Sequence, residues 1–224
     1  MIIKQQLSTG DGNLEIMIPG VRASVIFMVV RINNFVDYSD SLKAHIPDFL
    51  NRVVYIMHHS ADRWGGQANK SDGNKFLITW QLPDVENNQD HEKTESLMIE
   101  RTEVADKSLI AAVKIVSEIR RSQQFAVYFR KSAMRQRFGP DMKHPYLTFA
   151  LHMGWTVQGA IGSDNKIDAS YLSPNLQIAY RLEELTQFYD MQILLSEPLY
   201  NLMSLKARNT LRKIDVISLN MYNN

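Results

Sequence analysis

The sequence predicts an α+β domain, with a mostly antiparallel sheet and helices on one face. Three observations predict it. The run "RASVIFMVVRINNF" (22–35) is continuously β-branched and apolar, as a strand covered on both faces is. Two stretches, Ile46 to Ala61 and Leu109 to Ile119, carry apolar residues at helical spacing. Short strand-like runs such as "NKSDGNKFLITW" (69–80) are bounded by turn residues.

The elements follow in order. After the first run, Asp37 and Ser39 offer helix caps, and Pro47 suits a first helical turn. Phe49, Leu50, Val53, Val54, Met57 and Ala61 mark one face of a helix that Gly65-Gly66 end. A hairpin comes next, with Asp72-Gly73 as its two-residue turn and Phe76 to Trp80 as its return strand. Residues 84–103 hold seven acids and few apolar residues, so they read as a mobile surface insertion (about 83–105) or a solvated helix start. Leu109, Ala112, Val113, Val116 and Ile119 define a second amphipathic helix. Residues 120–143 carry seven bases and one acid. That segment reads as a solvated face, a partner for the acidic stretch or a nucleic-acid patch. "YLTFALHMGWTVQGAIG" (146–162) reads as two adjacent strands packed closely through glycine. Ser173-Pro174 starts a third helix, running through Leu185. "MQILLS" and "LRKIDVISLN" (211–220) are expected strands. Residues 1–21 read as an N-terminal extension and 22–224 as a single domain.

Bulk properties narrow the function. The 224 residues, 45% hydrophobic and 22% charged, suit one large globular domain. A net charge of +1 argues against attachment to nucleic acid or membrane by bulk electrostatics. With no cysteine, disulfides, thiolate catalysis and cysteine-ligated zinc are excluded, and a reducing, cytoplasmic compartment is permitted. No signal-peptide pattern and no membrane-length apolar run is read. "GGQANKSDGNK" lacks the ending of a phosphate loop. His58-His59 and His152 are not spaced as metal ligands. His152 is expected to pack or hydrogen-bond within the sheet, and Met28, Met57, Trp80 and Trp155 to lie in the core.

Four segments together resemble the catalytic domain of class III adenylyl and guanylyl cyclases. They are "VIFMVVRINNFVDYSDSL", "ANKSDGNKFLITW", "LHMGWTVQGAIGS" with "KIDASYLSPNLQIAYRLEELTQFYDMQILLSE", and "LRKIDVISLN". The third is the most specific and resembles protist-type members. The resemblance covers Val25 to about Asn220 and implies a ferredoxin-like core. It also implies that a ribose 3′-hydroxyl attacks the α-phosphate of a nucleoside triphosphate, assisted by two metal ions held on two aspartates. The matching positions here are Arg31, after the first strand's apolar run, and Asn74, after the hairpin glycine. Asp72, Asp37 and Asp40 are the nearby acids able to stand in, with capping the simpler reading of the last two. Arg31 itself is expected either to form a salt bridge or to contact phosphate.

The resemblance places base recognition at Lys70 and Asp168, an adenine-type pair. It places transition-state support at Gln177, where the family has asparagine, and at Arg181, one helical turn later. A phosphate-contacting lysine is replaced by Asn220. Lys70 also reads as an ordinary strand lysine and Asp168 as a loop cap. Family members form head-to-tail dimers with composite sites, so protein partners are expected, in a hetero-assembly more than a homodimer. ATP is the candidate ligand. No cofactor is expected on this chain alone; Mg²⁺ and ATP enter only at a site that a partner completes. The protist-type likeness admits a ciliary or flagellar location. The expected role is an inactive cyclase-homology module. The alternative is the non-metal half of a heterodimeric adenylyl cyclase.

Overall fold

In a computed structural model, residues 19–85, 90–163 and 166–218 are described, with the backbone alone for 162, 163 and 166–169. Strand β1 (Val21–Ile32) is central. Helices α1 (Phe35–Leu42) and α2 (Ile46–Arg63) follow, then the hairpin β2 (Gln67–Asp72) and β3 (Lys75–Gln81). Helix α3 (His91–Arg121) leads to two short helices, α4 (Ala126–Phe129) and α5 (Ser132–Phe138). The ribbon β4 (Leu147–Ser163) and β5 (Lys166–Leu172) precedes α6 (Pro174–Phe188), β6 (Ile193–Leu195), α7 (Glu197–Leu202) and α8 (Leu205–Arg208). The sheet order is β2-β3-β1-β4-β5. All these pairs are antiparallel, and β6 alone runs parallel, beside the start of β4.

The unbroken apolar run of β1 is explained by burial on both faces. Ile26, Met28, Val30 and Ile32 enter the main core with Phe49, Val53, Met57 and Ile115 from α2 and α3. Val25, Phe27 and Val29 enter a second cluster with Leu77 and Ala179. The expected single helical face therefore describes α2 and α3, whereas α6 lies across the other. Met28, Met57 and Trp80 are core residues as expected. Trp155 is not. It is 42% exposed, beyond the reach of α2 and α3, with Arg22 set 5.4 Å over its ring.

Several local expectations are corrected. The hairpin turn is Gly73-Asn74, because Asp72 pairs across the ladder with Lys75; Gly73 takes the positive φ of 57° that such a turn requires. Asp37 and Ser39 lie inside α1, which Asn34 precedes, and Asp37 is instead ion-paired to Arg137. The acidic stretch is the solvated-helix alternative: Asp90 caps α3 by accepting from the Glu92 amide at 3.1 Å, and one helix of 31 residues runs on to Arg121. Residues 147–162 lie in one long strand, not two. Gly154 pairs flat with Val25 and is glycine because a Cβ would sit 2.2 Å from Asn175 Cγ. Residues 211–218 form no strand, and Ile214, Val216 and Ile217 stay exposed. Ser173 caps α6 as expected, accepting from the Asn175 amide. Among the described residues, no helix is long and apolar enough to cross a membrane.

Candidate functional site

The candidate site lies on the sheet face that α6 crosses. Antiparallel register fixes its membership: Arg31 on β1 is opposite Lys75 on β3 and Thr148 on β4, so the three share one face. Helix α6 meets them through a stripe of small and polar residues, Ala179, Glu183 and Thr186, all buried.

Arg31 is ion-paired with Glu183. Its Nε donates to Oε2 at 2.8 Å and its Nη2 lies 2.5 Å from the same oxygen. Glu183 is fully buried and Arg31 is 13% exposed. The other carboxylate oxygen, Oε1, accepts from the Thr148 hydroxyl at 3.3 Å. Lys75 Nζ stands 3.6 Å from Glu183 and 3.7 Å from Glu184, and Arg181 donates to Glu184 at 3.0 Å. Alternating charges thus run from Arg31, through the buried Glu183, to the exposed Arg181. Asn33, also buried, accepts from Thr148 and Gln187 beside this ladder. Lys75 also lies over the Tyr180 ring at 5.7 Å. Burial first, and then the Asp72 charge, push the Tyr180 hydroxyl above its ordinary pKa. Of the two roles open to Arg31, the salt bridge is the one observed.

Asn74 occupies the hairpin tip. Its side-chain amide donates to the Ile32 carbonyl at 2.9 Å, and the Ile32 amide donates to the Asn74 carbonyl at 2.9 Å. The residue therefore latches the turn onto the end of β1.

The remaining predicted residues are spread out. Lys70 sits exposed in the irregular stretch of β2 between Ala68 and Ser71. Asp168 pairs with Ile161 in β5, at the opposite edge of the sheet, with β3, β1 and β4 between. Its side chain lies outside what is described. Gln177 and Arg181 are exposed one turn apart on α6, as their spacing predicts. Asn220 lies outside the described residues. Of the stand-in acids, Asp37 is held by Arg137, and Asp72 faces Lys75 across the hairpin.

Sequence reasoning missed Glu183. The available signal was an acid in register with Ala179 and Thr186 on the stripe that α6 buries. It also missed the partners of His152, whose Nδ1 lies 2.8 Å from the Ser196 hydroxyl and whose Nε2 lies 3.2 Å from Asn175 Oδ1. Burial lowers this imidazole's pKa, and the Asn175 contact opposes the shift.

No family model and no curated protein matches the sequence. Solved structures do match the fold. A bacterial light-regulated adenylyl cyclase superposes with a TM-score of 0.63 at 16% identity, covering 86% of this chain and 48% of that one. The adenylyl cyclase CyaB of P. aeruginosa gives 0.56 at 18%, covering 83% and 82%. The catalytic core of a rhodopsin-guanylyl cyclase with converted specificity, in complex with ATPalphaS, gives 0.62 at 17%, covering 92% and 94%. The chain has the fold of adenylyl and guanylyl cyclase catalytic domains. It spans about half the length of the light-regulated enzyme.

Within the cyclase fold, the two positions matched to metal-binding aspartates do not fit a divalent cation. One is a guanidinium already paired with a buried carboxylate, and the other is an amide whose NH₂ is committed to a backbone carbonyl. Among the described residues, no three His, Asp or Glu side chains gather as a metal-holding group. What the arrangement offers chemically is a rigid internal ion pair, with the half-buried Lys75 on β3 and the exposed Gln177 and Arg181 along α6 beside it.

Proposed function

We propose that this chain is a cyclase-fold pseudoenzyme, a binding module in a protein assembly that makes no cyclic nucleotide by itself. The observation that carries the reading is the Arg31–Glu183 pair. It sets a cation where the resemblance calls for a metal-binding carboxylate, and it takes up the nearest buried acid. Metal activation contributes several kcal/mol to such a reaction, and about 1.4 kcal/mol is tenfold in rate, so its loss costs at least about a thousandfold. ATP binds weakly and without requiring divalent metal. The partner is a different chain more than a symmetric copy, because a symmetric pair would bring together two sites that both lack metal carboxylates. No residue assigns the compartment.

A second reading is favoured by one observation. Gln177 and Arg181 project together from α6 into solvent. A subunit that completes a site on a metal-competent partner would present them so, with Mg²⁺ and ATP held between the two chains.

The test is a cyclase assay on the purified chain with ATP or GTP and Mg²⁺ or Mn²⁺. The expected result is no cyclic product above a heat-inactivated control. Turnover that co-purifies with the chain and is lost on Arg181→Ala would sink the proposal. Turnover that appears only on adding a second chain would favour the second reading.

A further inference from the structure

Helix α3 is charged oppositely at its two ends and stands free at one of them. None of residues 91–100 is buried; the first buried side chain is Arg101. Two apolar residues are nevertheless held in water on this free tip, Met98 at 44% and Ile99 at 59% exposure. A helix end with no core to pack on is ordinarily polar all round, so such residues point to a covering surface. Glu92, Glu95 and Glu100 surround them, and none is ion-paired among the described residues. Lys93 offsets one of these charges.

The other end is the reverse. Arg121 closes α3, and a short turn at Gln123–Phe125 leads into α4 and α5, which the Arg137–Asp37 ion pair fastens to α1. Arg121, Arg130 and Arg135 are exposed here and have no ion pair among the described residues. Val127, between them on α4, is 59% exposed. The rise from Glu95 to Arg121 is about 40 Å at about 1.5 Å per residue. That is several times the screening length of about 8 Å at physiological salt. The two poles of one molecule therefore cannot neutralise each other, which overturns the expectation that the basic segment partners the acidic one within the chain.

We infer that the acidic tip of α3 docks on the basic α4–α5 face of a second copy of this chain, so that copies add end to end. The two surfaces carry opposite charge, and Met98 and Ile99 on the tip face Val127 on the basic side as apolar contacts. The net charge of +1 means that copies do not repel in bulk. Each contact leaves one tip and one basic face free, so the interface is heterologous and generates a ring or an open row. The α6 face, with Arg181 and Gln177, takes no part and stays available to another partner.

Sedimentation velocity on the full chain tests this, across protein concentration at about 0.05 M and about 0.5 M salt. The average mass should rise with concentration at low salt, pass beyond a dimer, and return to monomer at high salt. Two triple variants reverse the poles: Glu92→Lys with Glu95→Lys and Glu100→Lys, and Arg121→Glu with Arg130→Glu and Arg135→Glu. Each alone should associate at least about tenfold more weakly, since like charges then face each other. An equimolar mixture should regain the association. All six positions are exposed, and unchanged circular dichroism verifies the fold. Ile99→Ser, which alters no charge, should also weaken the contact. A wild-type monomer at low salt overturns the inference, as does association that ignores either charge reversal or Ile99. A monomer that gains mass only on adding single-stranded oligonucleotide overturns it too, and assigns the basic pole to nucleic acid.

Discussion

Replacing Arg31 with methionine removes one half of a pair whose other half has no exposed surface. Methionine keeps much of the length and packing of the side chain, so the change isolates the charge. Removing one partner of a buried ion pair costs about 3–5 kcal/mol, because the survivor stays buried and uncompensated. Two contacts soften the loss here: Lys75 Nζ at 3.6 Å and the Thr148 hydroxyl at 3.3 Å both remain on Glu183. The expected destabilisation is therefore at the lower end, about 3 kcal/mol. For a domain of this size that is a fall of about 6–12 °C in Tm. Glu183→Met alone should cost less, because Arg31 has a path to solvent that Glu183 lacks. The double variant should regain part of the loss, giving a coupling of about 1–3 kcal/mol in a double-mutant cycle. Urea unfolding followed by circular dichroism reads all four proteins. If Arg31→Met unfolds within about 0.5 kcal/mol of wild type, or the cycle shows no coupling, the ion pair is not what organises this site.

Three further outcomes follow from single positions. Lys43 adopts φ 49° and ψ −121°, a conformation suited to glycine, so Lys43→Gly should stabilise the chain by about 1 kcal/mol in the same assay; destabilisation would show that no strain is stored there. Gly154→Ala drives a Cβ to 2.2 Å from Asn175 Cγ and displaces the amide that holds His152, so it should cost about 2–3 kcal/mol; a neutral result would mean that the β4–α6 contact has room. His152 is buried neutral with its pKa below the ordinary 6.5, whereas the unfolded chain protonates at the ordinary value. Its contribution is therefore intact above pH 6.5 and is lost as pH falls through the lowered folded pKa. His58 is shifted the same way by burial. Unfolding free energy measured from pH 7.5 to 5 should fall by up to about 1.4 kcal/mol per pH unit for each such group, and more gently in His152→Gln. An identical pH slope in that variant would refute the role.

How much of this was legible in the sequence depended on range. The buried strand from Val25 to Ile32 announced itself because both of its faces are covered, which leaves no polar alternation to misread. Gln177 and Arg181 share a helix face because helical spacing alone puts them there. What Arg31 pairs with was not legible. Arg31 and Glu183 are 152 residues apart, and an acid within a helix reads as solvated until the sheet beneath it is known. The close packing expected of the glycines in 146–162 is present at Gly154, but its partner, Asn175, lies on another element and could not be named. The apolar residues of 211–218 promised a strand, yet they stay exposed, and Asp215 accepts from the Tyr189 hydroxyl at 2.6 Å. Apolar content records a preference, and only a free sheet edge converts it into pairing.

The central claim is that a protein ion pair fills the place where this fold would hold catalytic metal. Anomalous diffraction from crystals soaked in Mn²⁺ with a non-hydrolysable ATP analogue tests it most directly. The account predicts no manganese peak within coordination distance of residues 31 and 74, with the Arg31 guanidinium still on the Glu183 carboxylate. A manganese peak there, with Arg31 swung away and Glu183 or Asp72 turned onto the ion, would contradict it.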